Sequence, residues 1–248
     1  MDLTGLSILN TRPKDQAKET SMAIKNANGT AYELPAIQVT PTDTSWIKSL
    51  PNLNDFQQII FISQNAAKYF FKELINNKIT LPSSIFITAI GQNTEKMITN
   101  FGYKVSYIPN IATSEGLLEL SNMHNIQQQN ILLIKGIGGR VTIQKKLNLR
   151  GANLKIIEVY SRSLPDINRE YVDSLWHDNK VDIILFTSFE AIKNIFYIFG
   201  ENAKNWLVNK PCIVISDRLQ DKAVSLGIKD VTVSDYRNIM NTLEGFLK

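Results

Sequence analysis

The chain has 248 residues, 44% hydrophobic and 20% charged, enough to bury one large core or two modest ones. A single cysteine, Cys212, excludes a disulfide within the chain, and two histidines without HExxH, CxxC or a glycine-serine-glycine elbow leave metal sites and acyl-transfer triads without their usual parts. The formal charge of +4 comes from scattered residues, the tightest cluster being Lys145, Lys146 and Arg150, so a small anionic ligand accounts for it as well as a nucleic acid does.

The opening MDLTGLSILN has no basic segment followed by a long apolar one, and no later run reaches the roughly 18 apolar residues of a membrane span; a cytoplasmic protein is expected. LSILN (6–10) is the first strand candidate, followed by a helical stretch that ends near Gly29. TAYELPAIQVTP (30–41) is extended and about twice the usual strand length. QIIFIS (58–63) then precedes a helix whose apolar stripe is Ala66, Ala67, Phe70, Phe71, Leu74 and Ile75. SIFITAI (84–90) and NILLIKG (130–136) follow, and then LKIIEVYSRSLP (154–165), a second overlong extended segment. DIILFTS (182–188) leads into a helix with Ile192, Ile195, Phe196 and Phe199, and CIVIS (212–216), DVTVS (230–234) and a final helix from Tyr236 to Lys248 complete the series. Gly29, Gly102, Gly151 and Gly227 stand where a left-handed C′ cap is expected, and Cys212 reads as a small buried hydrophobe.

Alternating apolar strands and helices predict an α/β fold with parallel sheets covered by helices. The two overlong segments, paired side by side, would form a two-stranded ladder joining two lobes. On that reading residues 37–163 are one lobe, inserted into another made of 1–36 and 164–248, with linker strands at about 31–40 and 155–164.

In such folds ligands bind beyond the carboxyl ends of the strands, where helix N-termini and free amides favour anions. The residues placed there are Thr11 and Arg12; Ser63 and Gln64; Gly91 and Thr94; Lys135, Gly138, Gly139 and Arg140; Thr187 and Ser188; and Ser216 and Arg218. Hydroxyls there can simply cap helices. Arg12, Lys135, Arg140 and Arg218 are harder to explain so, because a helix N-terminus disfavours positive charge; binding of carboxylates supplies a reason. KGIGGR (135–140) imitates a dinucleotide fingerprint but has Val141 where the third glycine belongs. Gly138 and Gly139 would still let backbone N–H groups approach an anion, with Arg140 pairing to it. Tyr160 lies in EVYSR on a proposed linker strand, where its phenol could serve a ligand as a weak acid or simply fill a strand position.

ILNTRP near the start, AIGQNT (89–94), LLIKGIGGRVTIQKKLNLRGANLKIIEVYSR (132–162), LFTSFEAI (185–192) and ISDRLQDKAVSLGIKDVTVSD (215–235) together resemble the uroporphyrinogen III synthase family, in order and over the full length. The resemblance implies two flavodoxin-like lobes with the substrate between them and no metal or organic cofactor. It implies dehydration and cyclisation of hydroxymethylbilane to uroporphyrinogen III, with inversion of ring D through a spiro intermediate, in heme biosynthesis. It makes Tyr160 the favoured catalytic acid and matches Ser188 and Thr94 to a family serine and threonine. Lys135 stands where arginine is usual, and Leu219 follows Arg218 where some members carry threonine. The expected partner is hydroxymethylbilane, handed over by the preceding deaminase, with no nucleic acid or membrane and a monomeric protein. The rival reading is a non-catalytic two-lobed binding protein for a small anionic ligand.

Overall fold

The structure is a computed structural model that describes residues 1–139 and 141–247. In chain order it contains β1 (Ser7–Asn10), α1 (Lys14–Asn26), β2 (Thr30–Glu33), β3 (Gln38–Pro41), α2 (Ser45–Lys48), β4 (Gln58–Phe61) and α3 (Gln64–Asn76). Next come β5 (Phe86–Ala89), α4 (Gln92–Asn100), α5 (Ser114–Leu118), β6 (Asn130–Gly136), α6 (Thr142–Leu149), β7 (Asn153–Ser163) and α7 (Arg169–His177). The chain ends with β8 (Ile183–Phe186), α8 (Phe189–Phe199), α9 (Lys204–Val208), β9 (Cys212–Val214), α10 (Asp217–Ser225), β10 (Val231–Val233) and α11 (Ile239–Glu244). Among the described residues no helix is long and apolar enough to cross a membrane.

Two compact units result, Met1–Gln38 with Ser163–Lys248, and Val39–Arg162. The first holds a five-stranded sheet in the order β10-β9-β8-β1-β2, with parallel pairing from β10 through to β2. Numbered by appearance in the chain and read from the β2 edge, that order is the flavodoxin-like 2-1-3-4-5. The second unit has the order β3-β7-β6-β4-β5, and β4 pairs parallel with both β5 and β6, as β6 does with β7. It repeats the same order, except that its fifth position is filled by β3, which precedes the other four in the chain.

Pleating divides the core of the second unit between two faces. Ile59 and Phe61 pack with Phe70 and Phe71 of α3, while Ile60 points the other way, onto Ile143 and Leu147 of α6. Ile75, at the edge of the α3 stripe, is 60% exposed rather than part of this core. Burial of Cys212 pushes its thiol up to about 12, and the nearby charge of Asp230 adds to the effect. The thiolate is the reactive form, so native protein at pH 8 is expected to resist iodoacetamide and to take one adduct only after unfolding in urea, as read by intact mass.

Three expectations need correction. The segment 30–41 is two strands and not one: β2 follows β1, Leu34 and Ala36 N–H still donate to Asn10 and Thr11 carbonyls, and only from Gln38 does the chain join the other sheet. Pro35, which lacks an N–H, marks the break. After α1 the left-handed residue is Asn28, at φ 62°, and not Gly29. Gly29 is instead required by close approach, since a Cβ there would stand 3.0 Å from both Ile24 Cγ2 and Leu3 Cβ. The final helix is reduced to α11 between two short 3-10 turns, Tyr236–Asn238 and Gly245–Leu247, and Lys248 lies outside the described residues.

Candidate functional site

In an open parallel sheet the crevice for a ligand opens where the strand order reverses. These points lie between β1 and β8 in the first unit and between β4 and β6 in the second. Thr11, Arg12, Thr187 and Ser188 follow the first pair of strands; Ser63, Gln64, Lys135, Gly138 and Gly139 end or follow the second. Gly91 and Thr94 lie beyond β5, and Ser216 and Arg218 beyond β9. Each unit therefore gathers its own share of the expected residues at one edge of its sheet.

Three junctions are built alike. Ser63, Ser188 and Ser216 each take an extended conformation after a strand and accept a hydrogen bond from the backbone N–H three residues on: Ala66 at 3.0 Å, Ala191 at 3.1 Å and Leu219 at 3.4 Å. Their first task is helix capping; each hydroxyl keeps its own proton for another acceptor. Thr94 is buried within α4 and Gly91 caps that helix, 2.7 Å from Ala112 Cβ if it carried a Cβ. Gly138 and Gly139, at φ 72° and 78°, form an exposed turn with open space around both. Backbone amides in such a turn suit an anion. Arg140, the cation expected beside them, lies outside the described residues.

Tyr160 has the most constrained setting. Lys135 of β6 pairs with Glu158 of β7, yet the next residue, Gly136, pairs with Tyr160. Val159 is thus an extra residue, a β-bulge, and bulges re-aim side chains. Ile157, Val159 and Tyr160 consequently all enter the same core cluster, while Glu158 points out. The Tyr160 ring lies against the bare backbone of Gly136, stacks on Tyr69 with centroids 6.2 Å apart, and is only 2% exposed. Its hydroxyl sits 3.1 Å from Ser63 Oγ and accepts a hydrogen bond from Arg162 Nη2 at 2.9 Å. Arg162 also stands over the ring, 5.3 Å from its centroid.

The expected cations have different surroundings. Lys135 is buried with its ammonium 3.8 Å from Glu158 Oε1, whereas Arg218 is exposed on α10. Arg12 is buried and held within its own unit, donating from Nη1 to Thr20 Oγ1 at 3.2 Å and to the Tyr236 hydroxyl. Thr11 is buried too, and its hydroxyl donates to Leu185 O at 2.7 Å, tying β1 to β8. Thr11→Val should remove that hydrogen bond while keeping the side-chain volume, and cost about 1 kcal/mol, measurable as a lower urea midpoint. Thr187 and Gln64 are half-buried.

Sequence reasoning missed Arg162, Tyr69 and Tyr236. Tyr236 was recoverable: it follows the carboxyl end of β10, and the strand-end rule applied to DVTVSDY reaches it. Arg162 and Tyr69 had no such signal, because their relation to Tyr160 depends on the bulge and on helix packing. Among the described residues no group of three or more His, Cys, Asp or Glu side chains is placed to hold a metal ion.

Residues 18–242 match the family described as uroporphyrinogen-III synthase HemD. The chain is 27% identical over 234 residues to the uroporphyrinogen-III synthase of Escherichia coli, covering 93% of this chain and 95% of that one. It is also 27% identical over 237 residues to that of Salmonella typhimurium, covering 93% and 95%. A crystal structure of mutant uroporphyrinogen III synthase from Thermus thermophilus superposes with a TM-score of 0.68 at 14% identity, over 98% of both chains. The Helicobacter pylori uroporphyrinogen-III synthetase gives 0.65 at 17%, over 98% of this chain and 100% of that one. These superpositions establish the fold.

Proposed function

The chain belongs to the uroporphyrinogen-III synthase family, and from that premise we propose that it dehydrates and cyclises hydroxymethylbilane to uroporphyrinogen III, inverting ring D through a spiro intermediate, in heme biosynthesis. The observation that carries the mechanistic reading is the Tyr160 phenol, placed beside a sheet switch point between the Ser63 hydroxyl and the Arg162 guanidinium.

The first step removes hydroxide from the hydroxymethyl pyrrole and leaves an azafulvene electrophile. A departing hydroxide needs a proton. Tyr160 supplies it through Ser63: the phenol donates to Ser63 Oγ, which passes its own proton outward, a route suited to a phenol that is 2% exposed. Arg162, donating to the phenol oxygen, helps carry the charge that develops there.

The electrophile then closes on the substituted carbon of ring D, and the spiro intermediate fragments and recloses. Without protein the same electrophile closes directly to the unrearranged isomer, so the protein's main work is geometric. Holding a flexible tetrapyrrole in the productive fold is an orientation effect, and each tenfold preference requires about 1.4 kcal/mol of differential transition-state stabilisation. The exposed amides of the Gly138–Gly139 turn and the cations at the strand ends are suited to anchoring acetate and propionate side chains. The proposed setting is the cytoplasm, with a monomeric enzyme receiving its substrate from the preceding deaminase.

The test supplies hydroxymethylbilane to purified protein, oxidises the products and separates the type I and type III isomers. Predominant type III is expected. Type I alone, as in the protein-free control, would overturn the reading in favour of a binding protein.

A further inference from the structure

Among the described residues of the first unit, Arg12 is a buried cation whose hydrogen-bonding capacity is only partly used. It stands two residues beyond the last residue of β1 and is 8% exposed. Its side-chain hydrogen bonds to Thr20 and Tyr236 both leave from Nη1, and its Nε is buried without a partner among the described residues. The guanidinium carbon also lies 4.7 Å from the centroid of the Tyr236 ring. A buried donor without an acceptor is costly, so Arg12 is held in place but not fully paired.

Tyr236 is held more loosely. It is 36% exposed, begins the short turn Tyr236–Asn238, and lines a recess of about 250 Å³ together with Glu19, Thr20, Ala23 and Met240. The ring therefore has room to turn away from Arg12.

We infer that Tyr236 is a latch on Arg12: in the empty protein its hydroxyl and ring face occupy the guanidinium, and a substrate carboxylate displaces them. The inference rests on the proposed function, whose substrate is rich in carboxylates. A carboxylate forms charge-assisted and bidentate hydrogen bonds with arginine, roughly twice as strong as neutral ones; one oxygen takes the place of the phenol at Nη1 and the second reaches Nη2 along the same edge of the guanidinium. A neutral phenol yields to such a partner. Substrate affinity is then reduced by the fraction of molecules in which the latch is closed.

Tyr236→Phe removes the hydroxyl acceptor and keeps the ring. It is expected to lower KM by about three- to tenfold, with a smaller change in kcat. The Kd for uroporphyrin III, an octacarboxylate probe followed by fluorescence, should fall by the same factor. In an Arg12→Gln background the same substitution should change neither. An unchanged or raised KM and Kd, or an equal fall without Arg12, overturns the latch. A measurement on wild-type protein stands apart from the folding of any variant: the Arg12 Nε–H resonance in 15N-arginine-labelled protein, assigned through Arg12→Lys, should move on addition of uroporphyrin III, and an unmoved resonance at saturating probe also overturns the proposal. Type III product from the wild type checks the functional reading by itself, so failure of the latch is distinguishable from failure of that reading.

Discussion

Tyr160→Phe is expected to lower kcat by about a hundredfold or more, the usual contribution of a positioned general acid, and to leave KM within about twofold. The substitution removes one oxygen and keeps the ring that fills the space against Gly136 and Tyr69, so folding should be little affected. If the phenol's proton travels through Ser63, Ser63→Ala should slow turnover comparably, and the double variant should be little worse than either single one, as for groups acting as one unit. Steady-state rates with freshly prepared hydroxymethylbilane decide it, corrected for the spontaneous formation of type I product. Turnover of Tyr160→Phe equal to the wild type would remove Tyr160 from the chemistry.

Gly136→Ala should be the more disruptive change. An added Cβ would lie 2.5 Å from Tyr160 Cζ and 2.7 and 2.9 Å from the two ring carbons beside it, distances real Cβ atoms do not tolerate. A rigid ring that is 2% exposed has little room to yield, so either β6 or the ring must move. Overpacking of this kind costs about 1–3 kcal/mol, and a displacement of about 1 Å at a reacting group can cost a hundredfold in rate. A lowered urea midpoint together with a fall in turnover of the folded variant is expected. Parental values for both would mean that the ring does not rest on Gly136 in solution.

Much of this architecture was legible in the chain. Continuous apolar runs such as QIIFIS and NILLIKG mark strands buried on both faces, and the stripe Ala67, Phe70, Phe71 and Leu74 marks the helix between them, because burial on a sheet leaves a period that composition alone cannot hide. The strand-end rule likewise found Ser63, Ser188 and Ser216. It did not distinguish residues that present groups outward from those that turn them inward. Thr11 is bound to Leu185 O and Arg12 to Tyr236, pairings across long stretches of sequence that no local pattern encodes. The bulge at Val159 was equally hidden. EVYS reads as simple alternation, and only the pairing with β6 reveals that Val159 and Tyr160 share a side.

The placement of β3 as the fifth strand of the second sheet bears on the order of events at the ribosome. Every strand of that sheet has been synthesised once β7 is complete at Ser163, so the inserted unit can close early. The outer unit cannot. Its interior strand β1 pairs with the central strand β8, and Ser7 N–H donates to Asp182, 175 residues further on. Until those residues emerge, β1 has only β2 beside it and presents an open edge, the kind of exposed strand that invites aggregation. Truncations between Ser163 and Asp182 should therefore leave a folded insert carrying an unprotected N-terminal unit of strand, helix and parallel strand, and the nascent chain is at its most vulnerable over that interval.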